Sequence, residues 1–338
     1  MNVTVSTHAG YTAKRPPVVD GAAYTEDYSA RFYVGRRWVS CVFDGHGGHA
    51  VAAACARLVP DLAAECLHAR DTTEAGLVLL FERLDAQIAL MGRPGGGTTC
   101  NVTVVDTGTW EMTVASLGDS PTLVYEPVAG TYRRVFQTVD QDCADEGEQR
   151  RLRALGLFVF EQKARGTSGV HGTGAFRCRT AAGTDMMTMS SLGDAEHDEP
   201  RGAVNKVPRV YSGRRINSGS LLLHCSDGCM EDIAPFSPSL IIPSAQTRVD
   251  AVAAHIQEAM CPACGLLAST DVAHHITKRQ IETIALERGR RTDGGDAGAH
   301  SEWVERNFDN QTVVAVYFGD ACGCAPQYEP LGRVLTHL

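Results

Sequence analysis

The sequence predicts an α+β fold in which antiparallel β-sheets are flanked by α-helices. Two observations support this prediction. Short β-rich runs at residues 98–105, 111–117 and 121–125 are joined by turn residues, as in antiparallel hairpins. Separate helical segments, of which residues 72–91 form the clearest, carry an apolar stripe that can cover such sheets.

The first part of the chain contains one predicted strand and two predicted helices. The strand is the apolar run Trp38–Phe43. Residues 51–66 keep a rough helical spacing of apolar side chains, and Pro60 predicts a kink or a restart within this helix. The second helix is predicted to begin at Thr72 or Thr73, because either hydroxyl can cap it.

The apolar period then changes to that of strands. The three β-rich runs are connected by "DTGT" and "GDS", and both connections are predicted to close hairpins. A basic helix follows from Asp145 to Leu155 and is predicted to end at Gly156.

The last part of the chain contains two further strands, at residues 220–225 and 312–318. Helices are predicted between them at about 247–260 and 270–287. Residues 157–219 show little periodicity, which indicates a long, irregular functional excursion rather than core. The whole chain is interpreted as one domain with a short C-terminal tail.

Composition excludes several classes of protein. The net charge of −9 argues against a protein that coats nucleic acid or an anionic membrane. No apolar run approaches the length of a membrane span, and the N-terminus lacks a signal-peptide layout. We therefore expect no nucleic-acid or membrane partner and an intracellular, cytoplasmic protein, with a nuclear location left open.

The 12 cysteines are scattered through apolar runs, where a free thiol behaves as a small hydrophobic side chain. The pairs Cys261/Cys264 and Cys322/Cys324 are either idle thiols or a shared zinc site.

Carboxylates recur where apolar strands end. Asp44, Asp119 and Asp227 each follow a strand, Asp309 precedes the last strand, and Glu26–Asp27 precedes the first. Each could be ordinary turn chemistry, since Asp-Gly favours turns. Carboxylates that gather at one sheet edge, however, repel one another unless cations neutralise them. A ligand set of oxygens alone suits Mg²⁺ or Mn²⁺.

The order of these motifs resembles the type 2C metal-dependent serine/threonine protein phosphatases over roughly residues 20–320. The matching segments are "TED" (25–27), "VFDGHGG" (42–48), "GTTCNVTVV" (97–105), "ASLGDS" (115–120), "SLGD" (191–194), "SDGCMED" (226–232) and "FDNQTVVAV" (308–316). The resemblance implies a β-sandwich of two antiparallel sheets flanked by helices, with a binuclear metal centre at one end.

The resemblance also implies roles for particular residues. Asp44 corresponds to the carboxylate that bridges two Mn²⁺ or Mg²⁺ ions, and Gly45 to a carbonyl ligand. The terminal ligands would be Asp227 and Asp309. The remaining matches are the acidic pair that holds metal-bound waters, Glu26 and Asp27, and the carboxylates of a weaker third metal site, Asp119 and Glu231.

The implied reaction is hydrolysis of phosphoserine or phosphothreonine in a phosphoprotein substrate. In the resembling family a water shared by the metals attacks phosphorus, and His46 corresponds to the general acid that protonates the leaving oxygen. The sequence leaves the oligomeric state open, and a monomer is the expectation.

One position departs from the family pattern. The family's phosphate-binding arginine corresponds to Ala22, which cannot make bidentate contacts to phosphate. Nearby basic residues that could substitute include Lys14, Arg15, Arg31, Arg36 and Arg37. Three functions therefore stay open: an active phosphoprotein phosphatase, a pseudophosphatase that binds or regulates, and a metal phosphoesterase acting on a small-molecule phosphate.

Overall fold

A computed structural model describes residues 3–10, 18–19, 22–23, 25–92, 94–161, 176–227 and 311–319, with residues 253, 256 and 273. The helices are α1 (Ala50–His68), α2 (Thr73–Leu90) and α3 (Glu146–Ala154). The strands are β1 (Val3–Gly10), β2 (Val18–Val19), β3 (Ala22–Ala23), β4 (Tyr28–Val34), β5 (Arg37–Phe43), β6 (Gly45–His46), β7 (Gly97–Thr98), β8 (Cys100–Asp106), β9 (Glu111–Leu117), β10 (Thr122–Val128), β11 (Thr131–Gln137), β12 (Phe158–Glu161), β13 (Phe176–Arg179), β14 (Asp185–Met186), β15 (Leu192–Gly193), β16 (Arg209–Arg215), β17 (Ser220–Cys225) and β18 (Gln311–Phe318).

Two five-stranded antiparallel sheets form the centre of the molecule. One has the order β1-β18-β17-β10-β11 and the other β16-β9-β8-β5-β4. A buried cluster contains Trp38 and Val42 of β5 together with Leu222 of β17 and Val316 of β18. Because this cluster joins side chains of both sheets, the sheets pack face to face as a sandwich.

The outer faces of both sheets are also buried. Val39 and Cys41 of β5 lie in a cluster with the apolar side chains of α1 and α2, such as Leu80. On the other sheet, Leu221 of β17 lies in a cluster with Ile256, a helical residue. Strand β5 is buried on both faces, which explains its continuous apolar run. The predicted sandwich flanked by helices is confirmed.

Most of the predicted elements are present. The predicted strands at 38–43, 111–117, 220–225 and 312–318 correspond to β5, β9, β17 and β18. Helix α1 runs through Pro60 as one helix, without the predicted restart. Thr72 is the cap of α2, since its Oγ1 accepts a hydrogen bond from the Ala75 N–H at 3.2 Å. Asp145 caps α3 in the same way through the Glu148 N–H.

The predicted hairpin at "GDS" is wrong. Strand β9 belongs to one sheet, and β10, which follows it, belongs to the other. The real hairpin of this region is β10–β11. Both sheets offer equally apolar strands, so local turn chemistry could not distinguish a hairpin from a crossing between sheets. The crossing places Asp119 at the end of the sandwich.

Strands β1 and β4 are among those that were not predicted. Strand β1 pairs with β18 along its whole length, and β4 pairs with β5 through a tight turn at Gly35. Alternating β-favouring residues in "NVTVST" are a signal that could have indicated β1.

The predicted excursion, 157–219, contains both peripheral and buried segments. Strands β12, β13 and β14 form a small sheet with its own apolar cluster around Leu152, Cys178 and Met189. Strand β16, however, joins a central sheet, and Ser190 to Asp194 are buried. The predicted helices at 247–260 and 270–287 lie outside the described residues, apart from helical positions 253, 256 and 273.

The cysteines that the structure describes are buried free thiols, as predicted. The pairs Cys261/Cys264 and Cys322/Cys324 lie outside the described residues. Within the described part of the chain, no helix combines the length and the apolar character needed to cross a membrane.

Candidate metal centre and active site

The backbone of Asp44 is fixed by the neighbouring strand segment. Asp44 directly follows β5. Its N–H donates to Thr99 Oγ1 at 3.2 Å, and its carbonyl accepts from the Thr99 N–H at 2.9 Å and from Thr98 Oγ1 at 3.0 Å. These backbone bonds hold the residue in place just after β5.

The carboxylate of Asp44 contacts the ends of two other strand segments. Its Oδ2 accepts hydrogen bonds from Ser120 Oγ at 3.5 Å and from the Asp227 N–H at 3.3 Å. Ser120 lies on the crossing between the sheets, and Asp227 follows β17. Two of the predicted ligands, Asp44 and Asp227, are therefore adjacent although they come from different sheets.

Glu26 and Gly45 are held against each other. The Gly45 N–H donates to the Glu26 carbonyl at 3.2 Å, and the Gly48 N–H donates to Glu26 Oε1 at 2.8 Å. A Cβ atom at position 45 would lie 2.4 Å from the Glu26 carbonyl oxygen, so only glycine fits there. Asp27 is only 3% exposed, so the second carboxylate of the acidic pair is buried.

Asp119 lies among other carboxylates. Loss of hydration raises its pKa well above the usual value, and the negative charges of Asp227, Asp140 and Asp142 raise it further. A divalent cation would relieve this repulsion, and oxygen ligands of this kind suit Mg²⁺ or Mn²⁺. The described residues therefore fit the predicted metals. The other two predicted ligands, Asp309 and Glu231, lie outside the described residues.

His46 lies beside this carboxylate group. Its Nε2 is 2.7 Å from Oδ2 of Asp194, a residue with no predicted role. Burial lowers the pKa of His46, but the hydrogen bond and the charge of Asp194 more than offset this effect. The charges of Glu26 and Asp227 act in the same direction, so the pKa lies above its usual value.

A second group of ligand-type side chains lies next to this site. Asp194, Glu196 and His197 place their ligand atoms within 4.8 Å of one another. The group contains none of the predicted metal ligands, although its Asp194 is also the hydrogen-bond partner of His46.

The structure also limits which basic residues could replace the missing arginine. Ala22 lies in β3, opposite Val19. Arg36 forms an ion pair with Asp106 at 2.9 Å, and Arg37 donates to the Leu67 carbonyl at 2.9 Å. Both arginines lie at the start of β5, whereas Asp44 follows the end of the same strand. They therefore lie at the opposite end of β5 from the candidate site. Arg31 lies midway along β4, and Lys14 and Arg15 lie outside the described residues.

Comparison with known proteins identifies the family to which this chain belongs. The model of the family described as "Protein phosphatase 2C" matches residues 30–229, which is more than half of the chain. The chain belongs to the protein phosphatase 2C family, and the resemblance noted in its sequence motifs is confirmed. A comparison of the sequence with curated proteins finds no significant match.

Solved structures of similar fold extend the match over most of the chain. A sex determining protein of C. elegans has a TM-score of 0.63 at 21% identity, covering 94% of this chain and 65% of its own. A serine-threonine phosphatase 2C of Toxoplasma gondii has a TM-score of 0.63 at 14% identity, covering 93% and 94%. The S. agalactiae serine/threonine phosphatase has a TM-score of 0.54 at 16% identity, covering 94% and 100%. This chain thus spans less than two thirds of the C. elegans chain, and at these identities the likeness establishes the fold.

Proposed function

We propose that this protein is a Mn²⁺- or Mg²⁺-dependent phosphatase that hydrolyses phosphoserine and phosphothreonine in a phosphoprotein. One observation carries the proposal: the Asp227 N–H donates to the Asp44 carboxylate, and the charge of Asp227 acts on both Asp119 and His46, with Glu26 acting on His46 as well. Membership of the phosphatase 2C family supports it.

Two cations would be held by Asp44, the Gly45 carbonyl, Asp227 and Asp309, with Glu26 and Asp27 holding their water molecules. Asp119 and Glu231 would serve a weaker third site. When bound, such cations activate water for attack on phosphorus and neutralise the phosphoryl oxygens.

The chain itself supplies the proton for the leaving group. A seryl or threonyl oxygen is a poor leaving group unless it is protonated as the P–O bond breaks. Burial lowers the pKa of His46, but the hydrogen bond and the charge of Asp194 raise it above its usual value, which favours the protonated form that a general acid needs. We assign it as the general acid.

The test is hydrolysis of p-nitrophenyl phosphate and of a phosphothreonine peptide with added Mn²⁺. The variants Asp44→Asn and Asp227→Asn should lose about a hundredfold or more in rate on both substrates. Asp198→Asn is the matched control, since among the described residues its carboxylate accepts from the Gly202 and Val204 amides of an adjacent turn. Wild-type rates no higher than those of the two ligand variants, with metal bound, would refute the proposal.

Ala22 favours a second candidate, a pseudophosphatase that keeps the fold and the metals but turns over little. The variant Ala22→Arg separates the candidates. If the missing guanidinium limits activity, KM for the phosphopeptide should fall about tenfold or more. An unchanged KM would mean that another group already binds the phosphate. Faster hydrolysis of small phosphates than of the peptide would instead favour a small-molecule phosphoesterase.

A further inference from the structure

The geometry points to Asp194 as the positioning residue of the general acid. We infer that its carboxylate accepts a hydrogen bond from His46 Nε2 and so holds the imidazole with Nδ1 available to the substrate. This inference rests on the proposed function. Asp194 is not a catalytic residue in the strict sense, because it acts through His46.

The two nitrogens of the imidazole then have different roles. A carboxylate can only accept, so the Nε2 hydrogen points to Asp194 and Nδ1–H is the donor to the leaving oxygen. The P–O bond breaks toward the seryl or threonyl oxygen, which takes the electron pair and the Nδ1 proton and leaves as the alcohol. Water gives its oxygen and one hydrogen to the phosphate, and its second proton restores the His46 imidazolium.

A small three-stranded sheet brings the two residues together. In the order β15-β7-β6, Gly97 of β7 pairs with His46 on one side and with Gly193 on the other. Asp194 directly follows Gly193. The sheet therefore fixes the separation of His46 and Asp194, although they are 148 residues apart in the sequence.

The middle strand leaves space for the carboxylate. A Cβ atom at position 97 would lie 2.2 Å from Asp194 Oδ2 and 2.5 Å from its Cγ. A side chain at position 97 would therefore displace the Asp194 carboxylate from this position. The missing side chain is what allows the carboxylate to reach across β7 to the imidazole.

Asp194 itself is held in one unusual conformation. Its φ is +52°, a left-handed value that non-glycine residues adopt at a cost of about 1–2 kcal/mol. Its N–H donates to the Gly96 carbonyl at 2.9 Å, its carbonyl accepts from the His197 N–H at 2.9 Å, and Ser191 Oγ donates to Oδ2 at 2.5 Å. The carboxylate is 1% exposed, so these bonds rather than solvent surround it.

The hydrogen bond from His46 could also serve only to stabilise the buried Asp194 carboxylate. The test must therefore distinguish this structural role from the positioning of a general acid. The leaving group does so. p-Nitrophenolate leaves without a proton, whereas a threonyl oxygen needs one, so loss of general-acid function selectively slows the peptide. A loss of folding or of metal slows both substrates together.

The test uses Asp194→Asn and Asp194→Gly in the full chain, with saturating Mn²⁺. Both residues tolerate the left-handed conformation. Asp194→Gly should lower kcat on the phosphothreonine peptide about tenfold or more relative to p-nitrophenyl phosphate. Asp194→Asn keeps a neutral hydrogen-bonding group, so its kcat ratio of peptide to p-nitrophenyl phosphate should lie between those of Asp194→Gly and the wild type.

Two controls complete the design. Asp198→Asn removes a carboxylate from the adjacent turn and should leave the ratio of the two rates unchanged. In a His46→Gln background, Asp194→Gly should cause no further change in that ratio, because a residue that acts through His46 has nothing left to position. Equal losses on both substrates, no loss, or an additive double variant would overturn the inference.

A readout without catalysis separates this inference from the proposed function. The ¹⁵N spectrum of the imidazole should show a hydrogen-bonded Nε2–H for His46 in wild type that is lost in Asp194→Gly. If wild type fails to hydrolyse either substrate, the proposed function and the catalytic assignment fail together, while the spectrum still decides the contact. If wild type is active and the spectrum does not change, the positioning inference alone is wrong.

Discussion

At the scale of single residues, the site depends on positions that permit no side chain. Gly45 lies against the backbone carbonyl of Glu26, which is one of the predicted acidic residues. Glycine here is therefore a packing requirement of the site and not only a means of turning the chain.

Gly45→Ala should disturb the centre because the new methyl group would displace Glu26. We expect a loss of about 1–3 kcal/mol in the free energy of unfolding and weaker Mn²⁺ binding by calorimetry. Gly95→Ala is the matched control, since a Cβ there would meet nothing within 4 Å. Equal behaviour of the two variants would contradict the steric explanation.

A buried histidine predicts how stability changes with pH. Thr122 Oγ1 donates to Asn101 Oδ1 at 2.8 Å and therefore accepts from His224 Nδ1–H at 3.0 Å. His224 Nε2 is buried without a hydrogen-bond partner among the described residues. Burial lowers the pKa of His224 to about 3, so the ring is neutral in the folded protein.

Because the unfolded chain binds this proton at a pKa of about 6.5 and the folded chain does not, stability falls as pH drops below about 6.5. Between pH 7 and pH 5, the free energy of unfolding measured with urea should fall by about 2 kcal/mol more in the wild type than in His224→Asn. Asparagine keeps a donor to Thr122 but does not titrate. Equal pH slopes would contradict the assignment.

At the scale of elements, helix ends are defined by single hydrogen bonds that the sequence indicates. The sequence offered two caps for α2, and the structure selects Thr72 through its bond to the Ala75 N–H. Thr73 is the first residue of the helix.

Thr72→Ala should lower the free energy of unfolding by about 1 kcal/mol, because it leaves a helix N–H without its cap. Thr73→Ala should change it by much less. Thermal or urea unfolding of the two variants measures the difference, and a larger loss for Thr73→Ala would mean that the cap lies one residue later.

At the scale of the whole molecule, the candidate metal centre lies where the two sheets meet. Asp44 follows β5 of one sheet, Asp227 follows β17 of the other, and Asp119 lies on the crossing from β9 to β10. A cation bound there would connect both sheets and should stabilise the sandwich.

Mn²⁺ should therefore raise the melting temperature of the wild type relative to protein in EDTA. At a free concentration of 100 Kd the gain is about 2.7 kcal/mol. Asp44→Asn and Asp227→Asn should lose most of this gain, whereas Asp198→Asn should keep it. A gain that is equal in all four proteins would place the stabilising cation elsewhere.

The sequence by itself determined the local features: the apolar strands, the helix starts to within one residue at Thr72 or Thr73 and at Asp145, and the carboxylates at strand ends. These depend on periodicity and on neighbours a few residues away. It also indicated the family, because the order of the motifs along the chain can be recognised without knowing which residues are in contact.

Only the tertiary structure decided which strand ends meet. The crossing at "GDS", the pairing of β1 with β18 and the contact of His46 with Asp194 all join segments whose pairing the local pattern leaves open. The physical reason is that strand register and sheet choice are set by long-range packing of faces that look alike in sequence. The segment that supplies Asp194 looked irregular because its conformation is determined by β7 and Gly97 rather than by its own periodicity.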